Sequence, residues 1–200
     1  MRGVPVAEVS RGLRSLPGGG HAVRVETLAA PALLRLREPL IAVAAQAFAA
    51  PLWSETPGEA VQLVDRMWLA LGRPDFTAAV AFADKNVIGF AYGHTDTFCT
   101  AFLPGRENTE AFELIELAVA PAYQGLGVGR ALHDAVLAAA AATAAAAAVN
   151  TTTADDRPRL LLTHPEAPAR RRYLHWGWVE LGTVPIAPDR QLLLMQYFGS

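Results

Sequence analysis

The chain has 200 residues, of which 52% are hydrophobic and 18% charged, and its formal net charge is −2. This length and composition predict a globular domain with a sizeable core and exclude a disordered or fibrous protein. The longest basic run is Arg170-Arg171-Arg172, so the sequence lacks the electrostatic footprint of a nucleic-acid-binding protein.

The ends and the apolar runs of the chain predict its compartment. Residues 1–20 contain no apolar core of signal-peptide length and end in a glycine run, which predicts a mobile leader. The run 135–149 is nearly all alanine and shorter than the roughly 20 residues that span a membrane, so we expect no membrane partner. A single cysteine, Cys99, excludes an intramolecular disulfide framework and favours a reducing compartment, taken as the cytoplasm.

Apolar spacing and turn residues divide the chain into seven strands and four helices. In order they are a strand at 21–28, helices at 31–50 and 57–71, strands at 76–83, 87–95 and 110–119, a helix at 130–148, a strand at 160–163, a helix at 165–175, and strands at 178–184 and 191–198. Pro39 should kink or split the first helix, and Pro165 should stand at the entrance of the last. The order predicts a single α/β domain over residues 21–200.

Three glycines follow the predicted strand 110–119, in the segment Gln124-Gly125-Leu126-Gly127-Val128-Gly129. Glycines permit positive φ, and the free N–H groups at the start of the next helix lie at the positive end of its dipole. The segment therefore predicts a phosphate or pyrophosphate site, with a merely tight strand–helix turn as the alternative. Arg130 and Ala131 follow Gly129, which excludes a P-loop, and the glycine spacing does not fit the dinucleotide fingerprint.

The stretch from Leu114 to Leu132 resembles the acetyl-CoA-binding segment of the GNAT superfamily of N-acetyltransferases. Gln124, Gly127 and Gly129 match the core pattern Arg/Gln-x-x-Gly-x-Gly/Ala. The preceding strand matches Leu-x-Val-x-Pro at Leu117, Val119 and Pro121. The resemblance implies the GNAT fold, an α/β fold whose mixed, mostly antiparallel sheet of six or seven strands is flanked by about four helices.

The resemblance also implies a set of main-chain contacts with acetyl-CoA. Seven residues of the glycine segment should hold the CoA pyrophosphate through their N–H groups: Gln124, Gly125, Leu126, Gly127, Val128, Gly129 and Arg130. The main chain of Leu117, Ala118 and Val119 should pair with pantetheine like an added strand. One of those strand amides should polarise the thioester carbonyl, as an oxyanion hole does.

Two side chains are candidates for proton transfer. Ala169-x-x-x-Tyr173-x-x-x-Gly177-Trp178 is similar to the late segment of the superfamily, whose tyrosine acts as general acid near the CoA sulfur. We expect Tyr173 to have that role, with a purely packed tyrosine as the alternative. Strand parity and the resemblance favour Glu113 as general base over Glu116, which the period of two places on the other face. Two alternatives stay open: Glu113 is only a solvated strand carboxylate, or the acceptor ammonium loses its proton in bulk water before binding.

The remaining polar and aromatic residues carry weaker hypotheses. The five histidines show no metal-ligand spacing, so we expect no metal, although His164 follows a strand that should open beside the cofactor. The three consecutive arginines favour a solvated helix face over a CoA phosphate contact. Trp53 is the better acceptor-pocket candidate, because core packing explains Phe48 and Trp68. Cys99 has no neighbour that would lower its pKa, so a nucleophilic role is not expected.

The resemblance predicts an enzyme that transfers an acetyl group from acetyl-CoA to a primary amine in a direct ternary complex. A small-molecule acceptor is favoured, no metal is required, and a homodimer is left open. The alternative is a GNAT-like module that binds acyl-CoA for sensing or assembly and catalyses nothing.

Overall fold

The computed structural model describes residues 22–50, 52–53, 55–73, 75–148 and 157–199. Within them the chain forms seven β-strands, five α-helices and two short 3-10 helices, at Thr100–Phe102 and Pro121–Tyr123. The main elements are β1 (Val23–Thr27), α1 (Ala30–Leu34), α2 (Arg37–Ala47), α3 (Pro57–Ala70), β2 (Thr77–Ala83), β3 (Asn86–Asp96), β4 (Ala111–Val119), α4 (Val128–Ala148), β5 (Arg159–Thr163), α5 (Pro168–His175), β6 (Trp178–Ala187) and β7 (Arg190–Tyr197). The predicted leader lies outside the described residues.

The strands form one sheet in the order β1-β2-β3-β4-β5-β7-β6. β1 pairs antiparallel with β2, and β7 pairs antiparallel with both β5 and β6. β4 and β5 pair in parallel, with Phe112 opposite Arg159 and Glu113 opposite Leu160. The sheet confirms the predicted α/β class and its mixed strand directions.

The described residues contain one α-helix more than predicted, because the segment 31–50 forms two helices. Pro39 is the third residue of α2, and the break lies before it, at Arg35 and Leu36. A proline ring clashes with the carbonyl four residues earlier and has no N–H to donate, but the first turn of a helix tolerates it. The prediction of a split was right, and its position is set by the need to keep Pro39 in a first turn.

The start of α3 follows the prediction. The Thr56 hydroxyl accepts from the Glu59 main-chain N–H at 3.3 Å, and the Glu59 carboxylate accepts from the Thr56 N–H at 2.6 Å. Pro57 is the first residue of the helix, a position whose N–H has no partner within the helix, so its lack of an N–H costs no hydrogen bond. This capping box fixes where α3 begins and therefore which of its side chains face solvent.

The prediction that Pro165 opens the last helix was wrong. α5 begins at Pro168, and Ala167 is its extended N-cap residue. A residue before proline is driven towards extended backbone, so the helix starts at the second proline of the segment. Gly177, with φ of 94°, follows the helix end.

The predicted turn at 185–190 is shorter in the structure, because β6 continues to Ala187 and β7 begins at Arg190. β6 carries irregular pairing between Glu180 and Gly182 and again between Pro185 and Ala187. β6 is the last strand of the sheet, and an edge strand tolerates both bulges and a proline. The strand therefore passes through Pro185 instead of ending before it.

The chain divides into two compact units. The described part of the first unit is 22–50, 52–53, 55–73, 75–92 and 116–143, and that of the second is 93–115, 144–148 and 157–199. In the first unit the largest fully buried apolar side chains include Leu33, Leu40, Leu63, Met67, Ile88, Phe90, Tyr92 and Leu132. The second unit has a cluster of its own, which contains Cys99, Ala111, Leu160, Val184 and Leu194.

Candidate functional site

The glycine segment between β4 and α4 has the backbone that its sequence predicts. Gly125 and Gly127 have φ values of 78° and 89°, in the left-handed region that favours glycine. A Cβ built at Gly125 would meet no heavy atom within 4 Å, so backbone conformation, and not lack of space, explains glycine there. Both glycines are solvent-exposed. The turn thus presents its main chain at the surface of the first unit.

The first turn of α4 follows directly. The N–H of Ala131 donates to the carbonyl of Gly127 at 3.0 Å, which makes Gly127 the N-cap residue. The main-chain N–H groups of Val128 and Gly129 precede that first intrahelical bond and have no carbonyl within the helix to bind. Together with the positive end of the helix dipole they form a site suited to a phosphate. The helix begins at Val128, two residues earlier than predicted.

Side-chain hydrogen bonds lie on both sides of this turn, one to the end of β4 and two within the first turns of α4. The Gln124 amide donates to the carbonyl of Val119 at 3.0 Å and so ties the turn to the end of β4. The Arg130 guanidinium donates to Asp134 at 2.7 Å, and Nδ1 of the fully buried His133 lies 2.7 Å from the other carboxylate oxygen. Burial opposes the charge on Asp134, but the hydrogen bonds from His133 and Arg130 outweigh it and hold the pKa of Asp134 below its ordinary value.

The end of β4 supplies the strand part of the candidate site. The ladder with β5 contains two pairs, of which Glu113↔Leu160 is the last, whereas β4 continues to Val119. Leu117 is half-buried, and Ala118 and Val119 are buried. On β3, a Cβ at Gly89 would lie 2.9 Å from the carbonyl oxygen of Ala118, so glycine permits this close approach of the two strands.

The predicted base Glu113 is a buried carboxylate in the second unit, 2% exposed. Its Oε1 accepts from the main-chain N–H of Cys99 at 2.7 Å. Burial raises the pKa of the Cys99 thiol, and the neighbouring Glu113 charge raises it further. Cys99 therefore stays a neutral thiol, as its lack of activating neighbours predicted. Glu113 has a clear structural contact, and its catalytic role stays a prediction.

The second carboxylate of β4, Glu116, lies in the first unit. Its side chain is 20% exposed, and its Oε1 is 3.9 Å from a terminal nitrogen of Arg66 on α3. Burial raises the pKa of the Tyr92 hydroxyl on β3, the Glu116 charge raises it further, and the Arg66 charge lowers it. Sequence reasoning missed Arg66, because residues 66 and 116 are far apart in the sequence and only the fold brings their side chains together.

The predicted acid Tyr173 lies on α5 in the second unit and is 8% exposed. Its ring makes edge contacts with Trp176 and Trp178, at centroid distances of 5.6 and 6.0 Å. Trp178 in turn packs on Tyr197 at 5.3 Å. This aromatic group fixes the ring of Tyr173, so a phenylalanine would keep its packing and remove only the hydroxyl.

Other candidates have local partners. Arg170 makes a two-point contact with Glu180, at 2.6 and 3.0 Å, and these hydrogen bonds raise the pKa of Arg170 and lower that of Glu180. Arg170 thus has a partner within its own unit. His164 accepts from the Glu166 N–H at 3.1 Å, and Trp53 packs edge-on against Phe48 at 5.8 Å.

Across the described ranges, no group of three or more His, Cys, Asp or Glu side chains converges on a point where a metal ion would bind. Over the same part of the chain, each helix is too short or too polar to cross a bilayer.

Residues 43–161, more than half of the chain, match the Acetyltransferase (GNAT) family. The match includes β4, the glycine turn and all of α4. No curated protein matches the chain.

Solved structures with a similar fold are distant in sequence. PH1933 from Pyrococcus horikoshii superposes with a TM-score of 0.60 at 17% identity, covering 88% of this chain and 98% of that one. A putative acetyltransferase of the GNAT family from Desulfovibrio desulfuricans gives 0.55 at 21% identity, with the same coverage. The aminoglycoside N-acetyltransferase AAC(6')-Iy, solved in complex with CoA, gives 0.57 at 16% identity, covering 88% and 99%. At such low sequence identities, these similarities show a shared fold and nothing more.

Proposed function

Because the chain belongs to the acetyltransferase (GNAT) family, we propose that it transfers an acetyl group from acetyl-CoA to a primary amine. The observation that carries the proposal is the family match over a glycine turn whose backbone has the shape of an anion site. The CoA bound to the aminoglycoside N-acetyltransferase of similar fold supports the choice of donor.

The residues present fit the pyrophosphate of CoA. Gly125 and Gly127 take left-handed φ values that turn the main chain outward, and α4 opens with unsatisfied N–H groups. We assign the pyrophosphate contacts to the main chain of 124–130 and the pantetheine contacts to Leu117, Ala118 and Val119. The Gln124 bond to Val119 ties these two segments to each other within one unit.

The transfer itself is a nucleophilic substitution at the thioester carbonyl, in which a C–N bond forms, the C–S bond breaks and CoA leaves as the thiol. The chain has to remove a proton from the acceptor ammonium and supply one to the departing sulfur. We assign the first task to Glu113, with Glu116 in reserve, and the second to Tyr173. A main-chain N–H of the 117–119 segment would polarise the carbonyl oxygen.

A turnover assay tests this proposal. The chain, acetyl-CoA and a panel of primary amines are mixed, and free CoA thiol is measured together with the acetylated amine. Amine-dependent thiol release is the expected result. If acetyl-CoA binds but no amine supports turnover, the non-catalytic acyl-CoA-binding module is the better description.

A further inference from the structure

Gly89 lies in β3, the strand beside the part of β4 that is assigned to pantetheine. The ladder between β4 and β5 ends at Glu113, whereas β3 still contacts β4 at its end, where the Ala120 N–H donates to the carbonyl of Ile88 at 2.9 Å. β3 is therefore the strand that supports residues 117–119. None of the residues assigned to CoA or to proton transfer lies on β3.

The space around Gly89 is filled from two sides. A Cβ built there would lie 2.9 Å from the main-chain oxygen of Ala118, 3.0 Å from Cδ1 of Leu132 and 3.4 Å from Cγ2 of Val119. Ala118 and Leu132 are 1% and 0% exposed, so both are held in a packed interior. The φ of Gly89 lies outside the left-handed region, so lack of space, and not backbone conformation, requires glycine at this position.

The atoms on these two sides belong to the two parts of the acetyl-CoA site. Ala118 is in the strand segment assigned to pantetheine. Leu132 is in α4, four residues after Val128, whose N–H belongs to the pyrophosphate site. Four residues of helix rise about 6 Å, so this contact lies just behind the start of the helix. Gly89 thus adjoins both the strand part and the helix part of the site, and all of these residues lie in the first unit.

We propose that Gly89 is a positioning residue of the acetyl-CoA site, because its lack of a side chain sets the separation between the pantetheine strand and the pyrophosphate helix. The inference rests on the acetyltransferase function proposed above. Pantetheine and pyrophosphate are covalently joined in CoA, so the strand and the helix have to bind them at a fixed separation. Two linked contacts strengthen each other only when the geometry allows both to be made at once.

A methyl group at position 89 would displace main chain and not only side chains. The end of the Leu132 side chain can rotate away, but the Ala118 oxygen is a main-chain atom and moves only with β4. The 117–119 segment would then shift relative to α4. That segment also supplies the N–H assigned to the thioester carbonyl, so the shift should weaken CoA binding and slow acetyl transfer as well.

The test measures the Kd of CoA and the Kd of ADP for wild type and for Gly89→Ala by calorimetry. ADP carries a pyrophosphate but no pantetheine, so it reports on the helix part of the site alone. The Kd of CoA should rise roughly tenfold or more and the Kd of ADP should stay within about twofold, because only the separation of the two segments changes. A loss of structure that spread through the unit would weaken both ligands.

Val136→Ala is the matched control for lost stability. Val136 is 0% exposed and lies about one turn further along α4 than Leu132, so its truncation should lower the melting temperature. The Kd of CoA should nevertheless stay within about twofold of the wild-type value, because the junction at Gly89 is intact. If Gly89→Ala does not fold, Leu132→Val tests the same contact from the helix side and should raise the Kd of CoA by a larger factor than Val136→Ala does.

Two results overturn the inference and leave the proposed function intact. One is a folded Gly89→Ala variant with the wild-type Kd for CoA, and the other is an equal rise in the Kd values of CoA and ADP. Where Gly89→Ala does not fold, equal effects of Leu132→Val and Val136→Ala on the Kd of CoA have the same meaning. In each case the wild type still binds acetyl-CoA and acetylates an amine. Failure of the wild type to bind CoA would instead remove the proposed function and this inference together.

Discussion

The main-chain N–H of Cys99 donates a 2.7 Å hydrogen bond to the carboxylate of Glu113, and both residues are 2% exposed. The loop after β3 is thereby fastened to β4 by the side chain that the sequence nominates as the base. A buried main-chain N–H needs an acceptor, so Glu113 has a structural task whatever its catalytic one. The two tasks can be separated by substitution.

Glu113→Gln keeps an oxygen for the Cys99 N–H, whereas Glu113→Ala leaves that N–H without an acceptor. We expect the alanine variant to be less stable than the glutamine variant by about 1–3 kcal/mol, measured by denaturant unfolding. If Glu113 is the base, the glutamine variant should still lose roughly a hundredfold or more in kcat.

The matched variant for this comparison is Glu116→Gln on the same strand. A glutamine variant at 113 with wild-type kcat, beside a strongly impaired one at 116, would move the base to Glu116. Wild-type kcat in both would indicate deprotonation in bulk water.

Gly125→Ala should weaken CoA binding. Alanine at a φ of 78° is strained by about 1–2 kcal/mol, and a turn that relaxes to relieve this must restore the binding shape when CoA binds. The expected loss is roughly tenfold in Kd, measured by calorimetry. Gly105→Ala is the control, because Gly105 has a φ of 75° and equally open space but lies far along the chain from the turn. Equal effects of the two variants on Kd would contradict the assigned site.

Tyr173→Phe should lower kcat by roughly a hundredfold and leave the Kd of CoA within about twofold, because only the proton donor is removed. The contacts of the ring with Trp176 and Trp178 remain, so the melting temperature should change little. Tyr197→Phe, in the same aromatic group, is the control and should keep its kcat. Unchanged turnover in the Tyr173 variant would remove it from the mechanism.

Asp134 makes the unfolding free energy of the chain depend on pH in the acidic range. The pKa of Asp134 in the folded protein lies below its ordinary value. The stabilisation from the ionised carboxylate is therefore fully present above about pH 4 and is lost as the pH falls through the folded-state pKa. The difference in unfolding free energy between wild type and Asp134→Asn should therefore be largest near neutral pH and shrink below pH 4. Because the side chain is 44% exposed, salt should reduce it. A difference that grows on acidification would contradict this account.

The glycine turn and the capped helix α3 could be predicted because local chemistry decides them. Gly125 and Gly127 are needed where φ is positive, and Thr56 with Glu59 forms a capping box from neighbouring residues alone. Strand alternation likewise placed β4 to within one residue. Such features depend on few residues and little on the rest of the fold.

The pairing of Arg66 with Glu116 could not be predicted in this way. The two residues come from α3 and β4, and no short pattern in the sequence records that the fold brings their charges to within 3.9 Å. The prediction of where α5 begins failed for a different reason. Pro165 and Pro168 both suit the first turn of a helix, and which one is used depends on the turn from His164 to Ala167.

The melting temperature with and without acetyl-CoA tests the central claim most directly. A ligand that binds the native state at a hundred times its Kd should stabilise the protein by about 2.7 kcal/mol, and the melting temperature should rise accordingly. The account predicts this rise for wild type and a smaller one for Gly125→Ala at the same concentration. No rise in the wild type at saturating acetyl-CoA would contradict it.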